Sequence, residues 1–272
     1  MICPLCPHRC ALSEGQTGFC RARKNEGGKI RCENYGRLTA LALDPIEKKP
    51  LARFYPGSRI LSAGSYGCNL RCSFCQNYEI SMADASAQTD FVSPEALVEK
   101  ALALRERGNI GLAFTYNEPL ISFEYVRDCA ALAQENGLKT VLVTNGMILP
   151  EPLEELLPLI DAMNIDLKGF QAEIYRHMGG DLETVKQTIA LASQACHVEV
   201  TTLIVPDLND REEDMEREAA YLASLDPCIP LHISRFFPRY HMTNRSPTPI
   251  KTIFTLRDVA AKHLQYVYTG NC

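Results

Sequence analysis

The 272-residue sequence predicts an α/β fold built from parallel strands that alternate with helices. Short apolar runs recur from about residue 58 onward, and segments with helical periodicity separate them. Alternation repeated this often favours right-handed βαβ units in one parallel sheet. About six units fill the roughly 200 residues available, which is fewer than the eight units of a closed barrel. A curved, incomplete barrel and an open doubly wound sheet are both compatible with this pattern.

Seven segments are predicted as strands: Ile60–Ser65, Ile110–Thr115, Thr140–Thr144, Ala162–Asp166, Val198–Val205, Leu231–Arg235 and, as a last strand, Gln265–Tyr268. Helix signals lie between them. Ser93 is expected to cap a helix that has Pro94 in its first turn, and Asn209 or Asp210 is expected to cap another. In either architecture, ligands should bind at the carboxyl ends of the strands.

Composition narrows the class of protein. Hydrophobic residues make up 46% and charged residues 22%, as in ordinary globular proteins. The net charge of −5 argues against a nucleic-acid or anionic-membrane partner. No apolar stretch is long enough to span a membrane, and the N-terminus lacks the order of a secretory signal. We therefore expect a cytoplasmic protein whose thiols stay reduced.

Cysteine is concentrated in the first quarter of the chain. Eight of the twelve cysteines precede residue 76, and metal binding is the natural explanation for such a cluster in a reducing compartment. Composition also changes near Gly57. We predict a Cys-rich N-terminal segment over residues 1–57 and an α/β core over residues 58–272.

Three cysteines follow the first predicted strand of the core with the spacing Cys68-x3-Cys72-x2-Cys75. Three thiolates this close can hold one cubane cluster only if the backbone turns tightly, which Gly64 and Gly67 permit. A fully ligated cluster needs four protein thiolates, so three leave one iron open for chemistry. The alternative is a structural zinc ion with a distant fourth ligand.

The run from Tyr66 to Asn77 resembles the radical SAM superfamily, and most closely the branch named for the AmmeMemoRadiSam gene neighbourhood, which is related to pyruvate formate-lyase activating enzyme. The resemblance implies a partial (β/α)6-type barrel and a 4Fe–4S cluster bound by Cys68, Cys72 and Cys75. It further implies that S-adenosylmethionine (SAM) chelates the open iron. Reductive cleavage of SAM would give a 5′-deoxyadenosyl radical, which abstracts hydrogen from a substrate.

The resemblance also implies a set of cofactor-binding residues, most of them at strand ends: Phe74, Asn77, Thr115, Glu118, Thr144, Asn145, Asp166, Lys168 and His241. Phe74 matches the aromatic residue that family members place against the adenine. Glu118 ends a segment that occupies the place of the Gly-Gly-Glu-Pro motif, although Tyr116 and Asn117 replace its two glycines. Lys168 is expected to pair with the SAM carboxylate.

A second group of cysteines begins the chain, with the spacing Cys3-x2-Cys6-x3-Cys10-x9-Cys20. Four thiolates can bind zinc or a second iron–sulfur centre. The surrounding loop is rich in Pro and Gly and would fold poorly without a metal. The alternative is a set of reduced thiols packed against the barrel.

Three functions remain open from the sequence. By resemblance, the protein activates a glycyl radical enzyme, with that protein as its substrate and flavodoxin or ferredoxin as its electron donor. A second version is a radical SAM enzyme that modifies a small-molecule metabolite. The third is a metal-binding interaction module without catalysis, supported only by the missing glycines before Glu118.

Overall fold

The computed structural model describes residues 1–272 and contains one main sheet with helices on its outer side. The strands are β1 (Arg23–Glu26), β2 (Lys29–Cys32), β3 (Arg37–Leu38), β4 (Ala40–Pro45), β5 (Arg59–Gly64), β6 (Asp90–Phe91), β7 (Asn109–Phe114), β8 (Lys139–Thr144), β9 (Ala162–Asp166), β10 (His197–Ile204), β11 (Leu231–Arg235) and β12 (Val267–Gly270). The α-helices are α1 (Tyr78–Ser81), α2 (Pro94–Ala103), α3 (Phe123–Glu135), α4 (Pro150–Leu156), α5 (Ala172–His177), α6 (Leu182–Ser193), α7 (Glu212–Leu225) and α8 (Ile250–Ala260). Short 3-10 helices cover Ile46–Lys48, Arg105–Arg107, Pro119–Ser122 and Leu157–Leu159.

The main sheet has the order β12-β11-β10-β9-β8-β7-β5-β4. From β5 to β12 all neighbours are parallel, and the order follows the chain without reversal. A doubly wound sheet would reverse direction at a switch point, so this order confirms the incomplete barrel. The last strand lies at 267–270, two residues beyond the predicted start.

The N-terminal segment joins the core through the main sheet. Strand β4 pairs antiparallel with β5, from Ala40 opposite Gly64 to Pro45 opposite Arg59. Upstream of β4, strands β1 and β2 form a hairpin, and β3 pairs with β6. Residues 40–45 of the predicted N-terminal segment therefore belong to the sheet of the core.

A buried segment closes the amino end of the barrel. After β4, the side chains of Ile46, Leu51 and Phe54 pack against residues of β5, β7, β8 and β9. The carboxylate of Glu199 on β10 accepts hydrogen bonds from the backbone amides of Ala52 at 2.9 Å and Arg53 at 2.7 Å. This segment, residues 46–54, is called the floor segment below.

Helix starts follow the sequence signals in one case and depart from them in another. The Ser93 side chain accepts a hydrogen bond from the Ala96 amide and caps α2, as predicted. Helix α7 begins at Glu212 and has Arg211 at its N-cap, with no capping side chain. The expected cap at Asn209 or Asp210 is wrong, because the Asn209 side chain bonds to the backbone of its own turn instead. No helix combines the length and apolar character that a transmembrane span requires.

A substitution at Glu199 tests how much its contacts with the floor segment stabilise the fold. Burial alone would raise its pKa, but hydrogen bonds from His197, His232 and the two floor amides lower it to about 2. Relative to the ordinary glutamate pKa of 4.5, this lowering corresponds to roughly 3 kcal/mol of stability near neutral pH. We expect Glu199→Ala to lower the free energy of unfolding by at least that amount, measured by urea denaturation.

The pH dependence of this loss is specific. A lowered carboxylate pKa contributes stability that is fully present above the unfolded pKa and is lost as the pH falls toward the folded one. The difference between wild type and Glu199→Ala should therefore shrink as the pH drops below 4.5. Glu216→Ala is the control, since Glu216 also bonds a histidine, His263, but lies 46% exposed. Equal losses in the two variants would contradict the role given to Glu199.

Candidate functional site

One cavity of about 710 Å³ opens at the carboxyl ends of the parallel strands. Its lining includes eleven of the predicted site residues, which lie at or after the ends of β5, β7, β8 and β9: Cys68, Cys72, Phe74, Cys75, Asn77, Thr115, Glu118, Thr144, Asn145, Asp166 and Lys168. Consecutive parallel strands bring these residues together, although they are spread over a hundred positions of the sequence.

The loop after β5, which carries the three cysteines, is called the triad loop (residues 65–77). Gly67 has a φ of +88°, and a Cβ at this position would lie 2.5 Å from the carbonyl oxygen of Cys20. Gly64 is needed for space, because a Cβ there would lie 2.7 Å from the Tyr116 ring. Both glycines therefore permit the loop to approach its neighbours closely.

The three thiols suit a cluster with one open iron. Cys72 is buried, Cys68 and Cys75 are half-buried, and no fourth cysteine lines the cavity. The Leu70 amide lies 3.3 Å from the Cys68 sulfur, and Asn145 Nδ2 lies 3.6 Å from it. Such donors stabilise a thiolate once a metal has displaced its proton. A structural zinc would require a fourth ligand, which no cysteine of this cavity supplies.

Burial dominates the acid–base behaviour of the free thiols. It raises the pKa of Cys68 and raises that of Cys72 to about 11, while the positive charge of Lys168 acts in the opposite direction on Cys72. Without a metal, these groups are therefore protonated thiols near neutral pH. A bound cation would provide the charge that makes thiolates favourable here.

Glu118 joins the ends of β7 and β8. Its buried carboxylate accepts hydrogen bonds from Leu120 N at 2.9 Å, Thr144 Oγ1 at 2.6 Å and Asn145 N at 2.7 Å. Burial raises its pKa to about 7 despite these donors. Each carboxylate oxygen has two acceptor positions, so three donors leave one position free.

Asn145 connects this carboxylate to the triad loop. Its Nδ2 donates to Asn69 Oδ1 at 2.9 Å and approaches the Cys68 sulfur. Its own Oδ1 accepts from the Met147 amide at 2.9 Å. The Thr-Asn-Gly turn after β8 therefore braces the cysteine loop.

Tyr116 and Asn117, which replace the two glycines of the motif, have structural roles. Tyr116 takes a φ of +73°, and its hydroxyl donates to Asp44 at 2.6 Å. Asn117 accepts from the Ser65 amide at 2.9 Å and donates to the Gly67 carbonyl at 3.1 Å. Asn117 thus supports the triad loop, and Tyr116 links the end of β7 to β4.

Lys168 and Asp166 form an ion pair of 2.7 Å at the end of β9. Burial opposes the lysine charge, but Asp166 and Cys72 together raise the pKa of Lys168. Asn209 Nδ2 donates to the Lys168 carbonyl at 3.1 Å, and the Lys168 amide donates to the Tyr175 hydroxyl at 2.9 Å. These bonds hold the Lys168 backbone, and the ion pair with Asp166 holds its side chain at the cavity wall.

His241 is the predicted cofactor residue that the structure does not bring to the cavity. Its backbone amide bonds to the Ser73 carbonyl at 3.0 Å, but its side chain is exposed and packs on Tyr240. Phe74 lines the cavity as expected, and Asn77 donates to the Tyr116 carbonyl at 2.7 Å.

Sequence reasoning missed the far wall and the floor of the cavity. The far wall contains Thr201, His232, Ser234 and Tyr268, and the floor segment adds residues such as Lys48. His232 and Ser234 alternate along β11, so the period-two pattern of a strand could have assigned them to one face. The floor segment lacks such a signal because it is irregular.

A substitution at Thr144 tests the hydrogen bonds by which Glu118 links the ends of β7 and β8. Thr144→Val removes the hydroxyl that donates to buried Glu118 and should lower the free energy of unfolding by about 1–3 kcal/mol. Thr184→Val is the matched control, because the Thr184 hydroxyl donates to Asp181 at an exposed site. Urea denaturation of the metal-free protein measures both. If Thr144→Val lowers the free energy of unfolding by no more than Thr184→Val does, the link through Glu118 is contradicted.

This chain is similar in sequence to several known proteins. The model of the Radical SAM superfamily matches residues 63–219. An uncharacterized protein of Methanocaldococcus jannaschii is 42% identical over 276 residues, covering 99% of this chain and 80% of that protein. Pyruvate formate-lyase 1-activating enzyme of Escherichia coli is 26% identical over 169 residues, covering 60% of this chain and 67% of the enzyme.

Solved structures share the fold at low sequence identity. SuiB of Streptococcus suis matches with a TM-score of 0.61 and 13% identity, over 77% of this chain and 48% of that one. Its structure bound to S-adenosylmethionine matches with a TM-score of 0.60 and 14% identity, over 78% and 52%. The chain thus spans about half of SuiB, and likeness at this identity concerns the fold alone.

Proposed function

The chain belongs to the radical SAM superfamily, whose members use a 4Fe–4S cluster and SAM, and we propose that Cys68, Cys72 and Cys75 hold this cluster. The observation that carries the proposal is that three thiols, without a fourth, share one cavity with Glu118 and Lys168. When bound, the cluster supplies the electron that cleaves SAM and yields a radical able to abstract hydrogen from a substrate.

The residues of the chain bind and orient SAM in this proposal. The Lys168 ammonium, held by Asp166, is the partner for the SAM carboxylate. Glu118, with its one free acceptor position, and the backbone near Thr115 are partners for the SAM amino group. Phe74 offers an apolar surface to the adenine. Asn145 and Thr144 act by holding Glu118 and the triad loop in place.

The floor segment and the far wall form the substrate side. Buried Ile46, Leu51 and Phe54 close the amino end of the barrel, which limits water access from below. His232, held at 2.5 Å by buried Glu199, lies on the wall beyond the SAM-binding residues. A polar wall of this kind suits a substrate that forms hydrogen bonds.

Two versions of the substrate follow. Similarity to the pyruvate formate-lyase 1-activating enzyme of Escherichia coli supports activation of a glycyl radical protein. In this version, flavodoxin or ferredoxin would be the electron donor. The polar far wall supports a small metabolite as the substrate.

None of the twelve cysteines forms a disulfide, which supports function in the reducing cytoplasm. The structural roles of Tyr116 and Asn117 remove the feature that favoured a non-catalytic interaction module.

Replacement of Cys72 tests the cluster assignment. After anaerobic reconstitution with iron and sulfide, the wild type should form 5′-deoxyadenosine from SAM and dithionite, and Cys72→Ala should form none. Cys228→Ala is the control, because Cys228 is exposed and lies outside the cavity. Cleavage retained by Cys72→Ala would overturn the ligand assignment, and a wild type with a cluster but no cleavage would overturn the catalytic proposal.

Replacement of Lys168 tests the carboxylate contact. Loss of a charge-assisted hydrogen bond should weaken SAM binding by about 10- to 100-fold in Lys168→Met. Equilibrium dialysis of the reconstituted enzyme measures this affinity. Lys251→Met, an exposed lysine on α8, is the control and should bind as the wild type does. Unchanged affinity in Lys168→Met would exclude Lys168 as the partner.

Deuterium transfer separates the two substrate versions. A deuterated substrate transfers its label into 5′-deoxyadenosine when hydrogen is abstracted from it. We expect transfer from the α-carbon of a deuterated glycine residue if the substrate is a glycyl radical protein. Transfer only from a labelled metabolite would favour the small-molecule version.

A further inference from the structure

A buried ion pair lies next to the segment that follows β7, and the proposed function does not use it. Lys49, in the floor segment, is 2% exposed, and its Nζ lies 2.8 Å from Oδ2 of Asp44 on β4. Asp44 is itself 8% exposed. Burial alone would raise the pKa of Asp44, but hydrogen bonds from Lys49 and Tyr116 lower it to about 2. Asp44 is therefore an ionised carboxylate near neutral pH.

The ion pair holds the side chain of Tyr116. The Tyr116 hydroxyl donates to Asp44 Oδ2 at 2.6 Å, and the Lys49 ammonium lies 4.7 Å from the centre of the Tyr116 ring. A cation at this distance from the face of an aromatic ring is attracted to it. The ring also packs closely on Gly64, where an added Cβ would lie 2.7 Å from it. Three contacts therefore fix this side chain.

The backbone of Tyr116 has a conformation that tyrosine rarely adopts. Its φ of +73° lies in the left-handed region that favours glycine. Its carbonyl accepts a hydrogen bond from Asn77 Nδ2 at 2.7 Å, at the end of the triad loop. Strain of this kind persists only where the surrounding contacts impose it, and Asp44 and Lys49 supply such contacts through the side chain.

The turn at Tyr116 determines how the residues on either side of it face the cavity. Thr115, Tyr116, Asn117 and Glu118 all line the cavity. The Asn117 amide donates to the Thr115 carbonyl at 3.0 Å across this turn, and Glu118 follows directly. A change of φ at Tyr116 would rotate Glu118 relative to the Thr115 carbonyl. The two groups proposed to accept hydrogen bonds from the SAM amino group therefore depend on one dihedral angle.

From these contacts we propose that Asp44 and Lys49 are positioning residues for SAM binding. By holding Tyr116 in its left-handed conformation, the pair sets the Thr115 carbonyl and the Glu118 carboxylate where the SAM amino group requires them. Neither Asp44 nor Lys49 lines the cavity, so both act through Tyr116. A buried ion pair adds little net stability compared with apolar side chains of similar size, which favours a positioning role over a stabilising one. The inference rests on the proposed function.

Removal of the ion pair tests the inference. Asp44→Leu and Lys49→Met are combined, so that no unpaired charge stays buried. The affinity of the reconstituted full chain for SAM is measured by equilibrium dialysis. We expect SAM to bind about tenfold more weakly than in the wild type, with unchanged iron and sulfide content. Unchanged affinity for SAM would overturn the inference.

The same substitutions in a Tyr116→Gly background separate positioning from a general structural effect. Glycine adopts a positive φ without support, so Tyr116→Gly alone should bind SAM within about threefold of the wild type. Adding Asp44→Leu and Lys49→Met should then change the affinity by less than about twofold. An equal loss of affinity in both backgrounds would overturn the inference, because the pair would then act by a route other than Tyr116. Loss of SAM binding in Tyr116→Gly alone would overturn it as well.

Tyr116→Phe is a milder variant that keeps the ring and removes only the hydroxyl that donates to Asp44. It should weaken SAM binding by about two- to tenfold. Tyr125→Phe is the matched control, because the Tyr125 hydroxyl donates to the Val92 carbonyl at 2.9 Å outside the cavity. Equal SAM affinities in these two variants would overturn the inference alone. A reconstituted wild type that binds no SAM would overturn the proposed function, and this inference with it.

Discussion

The geometry of the candidate site depends on the hydrogen bonds of the buried Glu118 carboxylate. Its three donors come from the 3-10 helix after β7 and from the turn after β8, so one side chain fixes two strand ends relative to each other. Asn145 extends this link to Asn69 and the Cys68 sulfur. A carboxylate buried to this degree is costly unless donors surround it, and these three donors also hold Thr144 and Asn145 against Glu118.

Because the barrel is incomplete, its two edge strands do not pair with each other, and other contacts have to hold the cavity in shape. A closed barrel would pair all its edges, whereas here β4 and β12 end the sheet without pairing to each other. The floor segment compensates by crossing the interior from β4 toward β10, where Glu199 binds its backbone amides. Asn164 on β9 adds a further contact by donating to the Pro50 carbonyl at 2.8 Å. The cavity therefore has a rigid lower boundary although the barrel stays open.

The strands and most of the site could be predicted from the sequence for a simple reason. The strands are short apolar runs, and in a parallel sheet the residues that follow them meet at one edge. Phe74, Glu118 and Lys168 therefore line the same cavity, as expected. Strand β4 was missed because it precedes the βα repeats and pairs antiparallel. Its apolar run, Ala40–Leu43, is short and only partly buried.

Other features of the site could not be predicted from the sequence because they depend on contacts between distant residues. The roles of Tyr116 and Asn117 depend on Asp44 and the triad loop, and neither partner is close in sequence. His241 was expected in the cavity because its segment follows β11, but its side chain points to solvent while only its backbone contacts the triad loop. Position after a strand thus predicts proximity to the site, and side-chain direction has to come from the structure.

In the proposed site, three cysteines leave one iron of the cluster open to SAM. Electron–nuclear double resonance can detect this contact in the reduced, reconstituted protein with SAM labelled by nitrogen-15 at its amino group. We expect a magnetic coupling between the unpaired electron of the cluster and the labelled nitrogen. A cluster that is reduced in the presence of SAM but shows no such coupling would contradict the open iron.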